Sequence, residues 1–374
     1  MTATRASYLD WNANAPMREE AIAAVNAALG RAGNPSSVHG YGRRARQAVN
    51  VARDAIAKLV NAAPEEVVFT SGGTEANNLA LRGFPTRRVM VSAIEHESAL
   101  AAATAVDGSR IPVTGKGVVD LLALAQMLAA DPRPALVSVM FANNETGVVQ
   151  PVAEAAQIAH RHGALFHCDA VQGPGKLPVD FRAIDADLMT ISAHKIGGPM
   201  GSGALILRRD LAIEPLVKGG GQERGRRGGT ENFPGIVGFG KAAAIALEDM
   251  EAARDVAALR DVAERHLLAL APDAIVFGRE APRLPNTLCI AMPRVASATQ
   301  VIALDLAGVM VSAGAACSSG KVTRSHVLDA MGVAPAIAEC AIRISLGWST
   351  TGAEIDHLIE AWGALYARTR ASAA

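Results

Sequence analysis

Asp187-Leu188-Met189-Thr190-Ile191-Ser192-Ala193-His194-Lys195 leads, through Ile196, into the glycine-rich stretch Gly197-Gly198-Pro199-Met200-Gly201-Ser202-Gly203. Its first half is apolar almost without interruption, the pattern of a strand buried on both faces. Where that strand must end, the sequence supplies a serine, a histidine and a lysine. Five more runs share this character, at 67–70, 88–92, 135–141, 164–168 and 204–207. Helical patterns lie between them, among them 152–162 and the amphipathic 43–61. Such alternation predicts an α/β fold on a mostly parallel, doubly wound sheet.

Beyond a glycine-rich segment near 219–240, a long helix rich in Ala, Glu, Arg and Leu is read over 240–270. The pattern then changes, and 285–291 and 341–345 read as strands of a smaller α+β unit. The division expected is 14–250 for a large domain, with 1–13 and 251–374 forming the small one. No internal repeat and no long low-complexity tail interrupts it.

The 374 residues suffice for a large core, and 36 basic against 36 acidic residues leave no net charge. That balance favours neither nucleic acid nor an anionic membrane as partner. The longest apolar stretches, such as 135–142, fall short of the roughly 20 residues of a membrane helix. The N-terminal residues lack the apolar segment of a secretory signal, so a cytoplasmic location is expected. Cysteines at 168, 289, 317 and 340 form no close pair, which argues against a zinc site and a disulfide framework and for a reducing compartment.

Several strand ends carry chemistry. Thr70-Ser71-Gly72-Gly73-Thr74 precedes a helix, where two glycines, free N–H groups and the Thr74 hydroxyl suit a phosphate. A tight turn with Thr74 as helix cap accounts for the same residues. His96 follows the next strand and can lie over a flat heterocycle or move protons, although a lone histidine is commonly structural. Asn143-Asn144-Glu145-Thr146-Gly147 reads as an asparagine turn or as a set of ligand contacts. Asp169, at the end of 164–168, needs a cationic partner if buried, and a protonated pyridine nitrogen is one; a helix cap is the alternative. Gln172 can donate to a neighbouring oxygen on the same ring, while Cys168 reads as a small core residue. Lys195, once neutral, can form an imine with an aldehyde. Polar groups at several strand ends point to one shared cleft at that sheet edge.

In order and spacing, Gly73-Thr74, His96, Asn144, Asp169-x-x-Gln172, Ser192-x-His194-Lys195, the run Gly219 to Asn232 and Ala315-Ala316-Cys317-Ser318-Ser319-Gly320 resemble the NifS/IscS-type cysteine desulfurases of the class-V aminotransferase family. The likeness runs from Tyr8 to about Gly347. It implies the type-I aminotransferase fold, with a mostly parallel seven-stranded sheet, in a homodimer. It further implies pyridoxal 5'-phosphate on Lys195, with Asp169 at the ring nitrogen, Gln172 at the ring oxygen and His96 against the ring. Gly73, Thr74, Ser192 and His194 would take the phosphate with Thr230 from the second subunit; Asn34, Asn144 and Arg343 would take the substrate. Two positions depart from the family pattern: Asn12-Ala13-Asn14-Ala15 replaces Asn-Ala-Thr-Thr, and Met200 stands where lysine is common.

Cys317 lies among Ser and Gly, unlike Cys289 and Cys340 with their apolar neighbours. The resemblance makes it the thiolate that takes sulfur from L-cysteine as a persulfide, leaving L-alanine, on the longer type of loop that passes sulfur to an acceptor protein. An iron-sulfur scaffold and a tRNA-thiolation enzyme are the acceptors it suggests, with no direct contact to nucleic acid. A selenocysteine lyase and another class-V aminotransferase remain alternative readings.

Overall fold

The computed structural model describes residues 6–314 and 324–371, and in it the apolar runs line up side by side. Seven strands form the large sheet: β1 (Val67–Thr70), β2 (Arg88–Ser92), β3 (Ser109–Ile111), β4 (Ala135–Ser138), β5 (Leu165–Asp169), β6 (Leu188–Ser192) and β7 (Gly203–Leu207). Their order across the sheet is β1-β7-β6-β5-β4-β2-β3. Only β7 is antiparallel to its neighbours, so the carboxyl ends of the other six share one edge.

Both faces of this sheet are buried, as the continuous apolar runs require. Val67 and Phe69 of β1 face a core shared with helices Gly40–Leu59, Val152–Arg161 and Phe233–Glu248. Val68, between them, faces the opposite core with helices Gly73–Arg82 and Glu97–Thr104. The run read as one strand over 135–141 is a strand over Ala135–Ser138, beyond which Val139 and Phe141 still donate to the His167 and Asp169 carbonyls of β5, at 3.1 and 2.8 Å. Between them the Met140 N–H turns to the buried Glu95 carboxylate, 2.6 Å away, instead of to a neighbouring strand.

A second sheet orders Ser312–Ala313, Ala341–Ser345, Thr287–Ala291 and Ile275–Phe277, all antiparallel. Its core gathers Leu288, Ile290, Ile342 and Ile344 around the fully buried Trp362 of helix Gly352–Ala371. Leu9 joins this core, and Ser7–Tyr8 pairs in parallel with Val309–Met310. The helix expected over 240–270 is two helices, Phe233–Glu248 and Ala252–Leu270, parted by a 3-10 turn at Asp249–Glu251. The reason lies in what each buries: Phe239, Ala243 and Ala246 belong to the large-sheet core, whereas Val256, Ala263 and Leu267 belong to the second. One straight rod cannot serve both. Arg18 anchors the break through Asp249, at 2.7 Å. No described helix is long and apolar enough to cross a membrane.

Between the two sheets lies Glu145, fully buried, which accepts a hydrogen bond of 2.5 Å from the Ser325 hydroxyl. Burial pushes its carboxyl up to about 7, against smaller opposing effects of Ser325 and Arg343. Folded protein therefore holds a proton that the unfolded chain releases near 4.5, and Glu145 contributes stability that is lost as pH rises through 7. Glu145→Gln has no such loss, so the melting temperature of the wild type relative to the variant should fall between pH 5 and pH 8, as thermal scans across that range would show. Trp362→Ala should remove about 3–5 kcal/mol in denaturant unfolding, because it empties the centre of the second core.

Candidate active site

The carboxyl edge of the large sheet opens into a cleft of about 410 Å³, closed from the far side by Arg343 of the second sheet. Gly73, Thr74, His96, Asn144, Asp169, Gln172, Ser192, His194, Lys195 and Arg343 all line it. Asn34 does not; it is exposed and its side-chain oxygen accepts from the Ser36 N–H at 2.8 Å. Thr230 is also exposed and outside the cleft of this single chain. Cys317 lies outside the described residues.

Each loop is built locally. After β1, Gly72 takes φ 153°, a conformation that disfavours a side chain, and it rather than Thr74 occupies the cap position of helix Gly73–Arg82. Gly203 of β7 packs so tightly behind this turn that a Cβ there would lie 2.7 Å from the Gly72 backbone. Thr74 is thus left exposed on the first turn, beside N–H groups that have no partner within the helix. After β2, His96 caps helix Glu97–Thr104 by accepting from the Ser98 N–H, and its Nδ1 lies 2.8 Å from the Ser98 hydroxyl. His96 is thus a helix cap, and it also lines the cleft.

Asp169 ends β5, buried, and caps no helix. Its Oδ1 accepts from the Val171 N–H at 3.0 Å and its Oδ2 from Asn77 Nδ2 at 2.7 Å. Asn77 also donates to the Ser98 hydroxyl, at 2.9 Å, so a chain of hydrogen bonds joins His96 to Asp169. Among the described residues no lysine or arginine makes an ion pair with Asp169. A buried carboxylate of this kind facing a cleft suits a ligand that brings a positive charge. Cys168, on the neighbouring position of β5, is buried in the core behind the sheet, and burial raises its thiol well above the ordinary value.

Lys195 lies in the 3-10 turn Ala193–Lys195 directly after β6. Its Nζ donates to the carbonyls of Asn12, at 2.5 Å, and Ala13, at 2.8 Å. His194 pairs through Nδ1 with Asn14 Oδ1 at 3.2 Å. Burial, with Lys195, Lys176 and His96 nearby, lowers His194 to about 4, so its ring is neutral at pH 7. Burial also lowers His96, against a smaller opposing pull from Asp169. Arg343 is buried, pairs with Asp10 at 2.7 Å and donates to the Asn144 carbonyl at 3.1 Å. Its Nε is buried and has no acceptor among the described residues. The same set therefore offers a lysine amine, a carboxylate, an amide and a phosphate-sized turn, and it fits pyridoxal phosphate.

Sequence reading passed over Asn77, Ser98, Lys176 and Asp10, and treated Asn12 and Asn14 only as a departure from a pattern. Asn12 is buried: its Nδ2 donates to the Asn144 carbonyl and, at 2.8 Å, to the Thr287 hydroxyl. Its Oδ1 accepts from Asn286 and from Lys176, each at 3.0 Å. The signal for Asn12 was its place in the matched N-terminal segment; the others have ordinary residue types and partners distant in sequence. Among the described residues no group of three or more His, Cys, Asp or Glu is arranged to hold a metal ion.

Residues 7–358 match the family model described as aminotransferase class-V. A cysteine desulfurase of Cereibacter sphaeroides is 47% identical over 366 residues, 94% of each chain. The cysteine desulfurase IscS of Dictyoglomus turgidum is 38% identical over 369 residues, 95% of this chain and 93% of its own. Among solved structures, a NifS-like protein from Rickettsia africae superposes with a TM-score of 0.90 at 36% identity, covering 97% of this chain and 99% of that one. With its cleft at the edge of a mostly parallel seven-stranded sheet and this likeness along nearly its whole length, the chain belongs to the class-V aminotransferase family, among the cysteine desulfurases.

Proposed function

We propose that the cleft binds pyridoxal 5'-phosphate and that the enzyme takes the sulfur of L-cysteine, releasing L-alanine. The observation that carries this reading is the buried Asp169 carboxylate, without an ion-pair partner among the described residues, in one cleft with Lys195. When bound, the cofactor supplies an electron-withdrawing ring that stabilises negative charge developing at the substrate Cα.

The chain's own residues do the rest. Lys195 would hold the cofactor through its Nζ and, once freed, would take the proton from the substrate Cα there. Asp169, held by Asn77 and the Val171 N–H, keeps the ring nitrogen protonated. Gln172 would donate to the ring oxygen, and His96, which lines the same cleft, would serve as a proton carrier beside the ring. The turn at Gly73-Thr74, with Ser192 and the neutral His194, takes the phosphate, joined in a homodimer by Thr230 of the partner subunit. Asn144 and Arg343, both lining the cleft, receive the substrate carboxylate, with Asn34 on the substrate side.

Sulfur leaves by way of Cys317. Its thiolate attacks the substrate sulfur, an S–S bond forms and the Cβ–Sγ bond breaks, its electron pair passing to the carbon skeleton. Protonation of that skeleton gives L-alanine, and the persulfide on Cys317 passes its outer sulfur to an acceptor protein for iron-sulfur cluster assembly or tRNA thiolation. The two domains of this reading are 14–250, which holds the cofactor, and 1–13 with 251–374, which brings Arg343 and Cys317.

Incubation of the purified protein with L-cysteine and a reductant tests the reading. Alanine and sulfide should appear in equal amounts. Cys317→Ala should keep the visible band of the bound cofactor and lose sulfide release, whereas Lys195→Ala should lose both the band and turnover. A visible band without sulfide from the wild type would overturn the assignment of L-cysteine.

A further inference from the structure

The mechanism above makes no use of Lys176, a half-buried lysine in the turn Gln172-Gly173-Pro174-Gly175-Lys176 that follows β5. Its ammonium donates to the side-chain oxygen of Gln172 and to Asn12 Oδ1, the latter at 3.0 Å. Among the described residues no carboxylate pairs with it, so both of these partners are neutral amides. Two amide oxygens offset only part of the cost of burying a lysine without a counter-ion, so its placement carries an energetic cost. Burial, with Lys195 and Arg343 close by, drives its ammonium well below the usual lysine range.

Lys176 does not line the main cleft. It lies behind it, in a smaller recess shared with Lys195, Pro285 and Asn286. Gln172 stands between the two. A carboxamide offers a donor at one end and an acceptor at the other, and an unclamped one can present either. Here the oxygen is engaged by Lys176, and one N–H of the same amide is engaged by the Asn12 carbonyl at 3.0 Å. The second N–H is what remains for the cleft. The carbonyl that receives Gln172 also receives Lys195 Nζ, so the three side chains share one small anchor.

We infer that Lys176 is a positioning residue: its ammonium turns the Gln172 oxygen toward the back of the cleft, so that the amide N–H is the end offered to a bound ring oxygen. This rests on the reading of Gln172 as the donor to the cofactor. Lys176 touches neither cofactor nor substrate, and acts through Gln172 and Asn12.

The test is a double-mutant comparison in the full-length protein freed of cofactor and titrated with pyridoxal phosphate, using Lys176→Met, Lys176→Arg, Gln172→Ala and the pair K176M/Q172A. The readouts are the dissociation constant and the pH midpoint of the visible band. K176M should weaken binding about tenfold, the size of one charged hydrogen bond. It should also raise the midpoint by about one unit, since a positive charge and a donor are both lost. K176M/Q172A should bind no worse than Q172A alone, and K176R should recover most of the loss. If K176M does not fold, Lys176→Gln replaces it. Losses that multiply in the double variant, or a K176M indistinguishable from wild type beside a weakened Q172A, overturn the inference and leave the cofactor reading standing. A wild-type protein that forms no visible band overturns the cofactor reading itself.

Discussion

Asn12 makes seven polar contacts, and the site is arranged around them. Its amide nitrogen reaches the loop after β4 and the second sheet; its amide oxygen receives Asn286 and Lys176; its backbone carbonyl receives Gln172 and Lys195; its backbone N–H donates to Ser345 at 3.0 Å. A buried amide is tolerated only when its groups are satisfied, and here the partners come from several separate parts of the chain. The residue that holds the two sheets together is thus the one against which the cleft's lysine and glutamine are set.

Around that junction burial shifts several ionisable groups from their ordinary values. Burial lowers His96, His194 and Lys176, and raises Glu95, which also feels Asp169. Asp169 is cradled instead by Asn77 and a backbone N–H. Such a pocket has few mobile charges with which to screen a ligand, so a charged ligand group meets these side chains with little attenuation.

Much of this architecture was legible because strands buried on both faces have to be apolar throughout. The strands β1, β2, β6 and β7 show this in their sequence, as does the core of β4. β3 did not, since it is a sheet edge with Ser109 and Arg110 exposed, and its sequence carries only Ile111 to the core. The break at Asp249–Glu251 was hidden because helix propensity is continuous across it, and only tertiary packing shows that the two halves serve different cores. Within the cleft, strand-end residues were readable from position, whereas Lys176 and Asn77 meet partners that no local pattern announces. Thr230 and Asn34, read from their place in a pattern, do not line this cleft in the single chain.

The N-terminal segment has a consequence for how the chain comes to be made. Ser7–Tyr8 pairs with Val309–Met310, and the Asn12 N–H meets Ser345, more than three hundred residues downstream. During synthesis the large sheet has all its strands once residue 207 has emerged, and it can assemble while the first dozen residues wait. The floor under Lys195 can be completed only when nearly the whole chain has been released. A chain not yet synthesised through residue 345 thus carries the lysine without the complete setting that holds Asn12 in place.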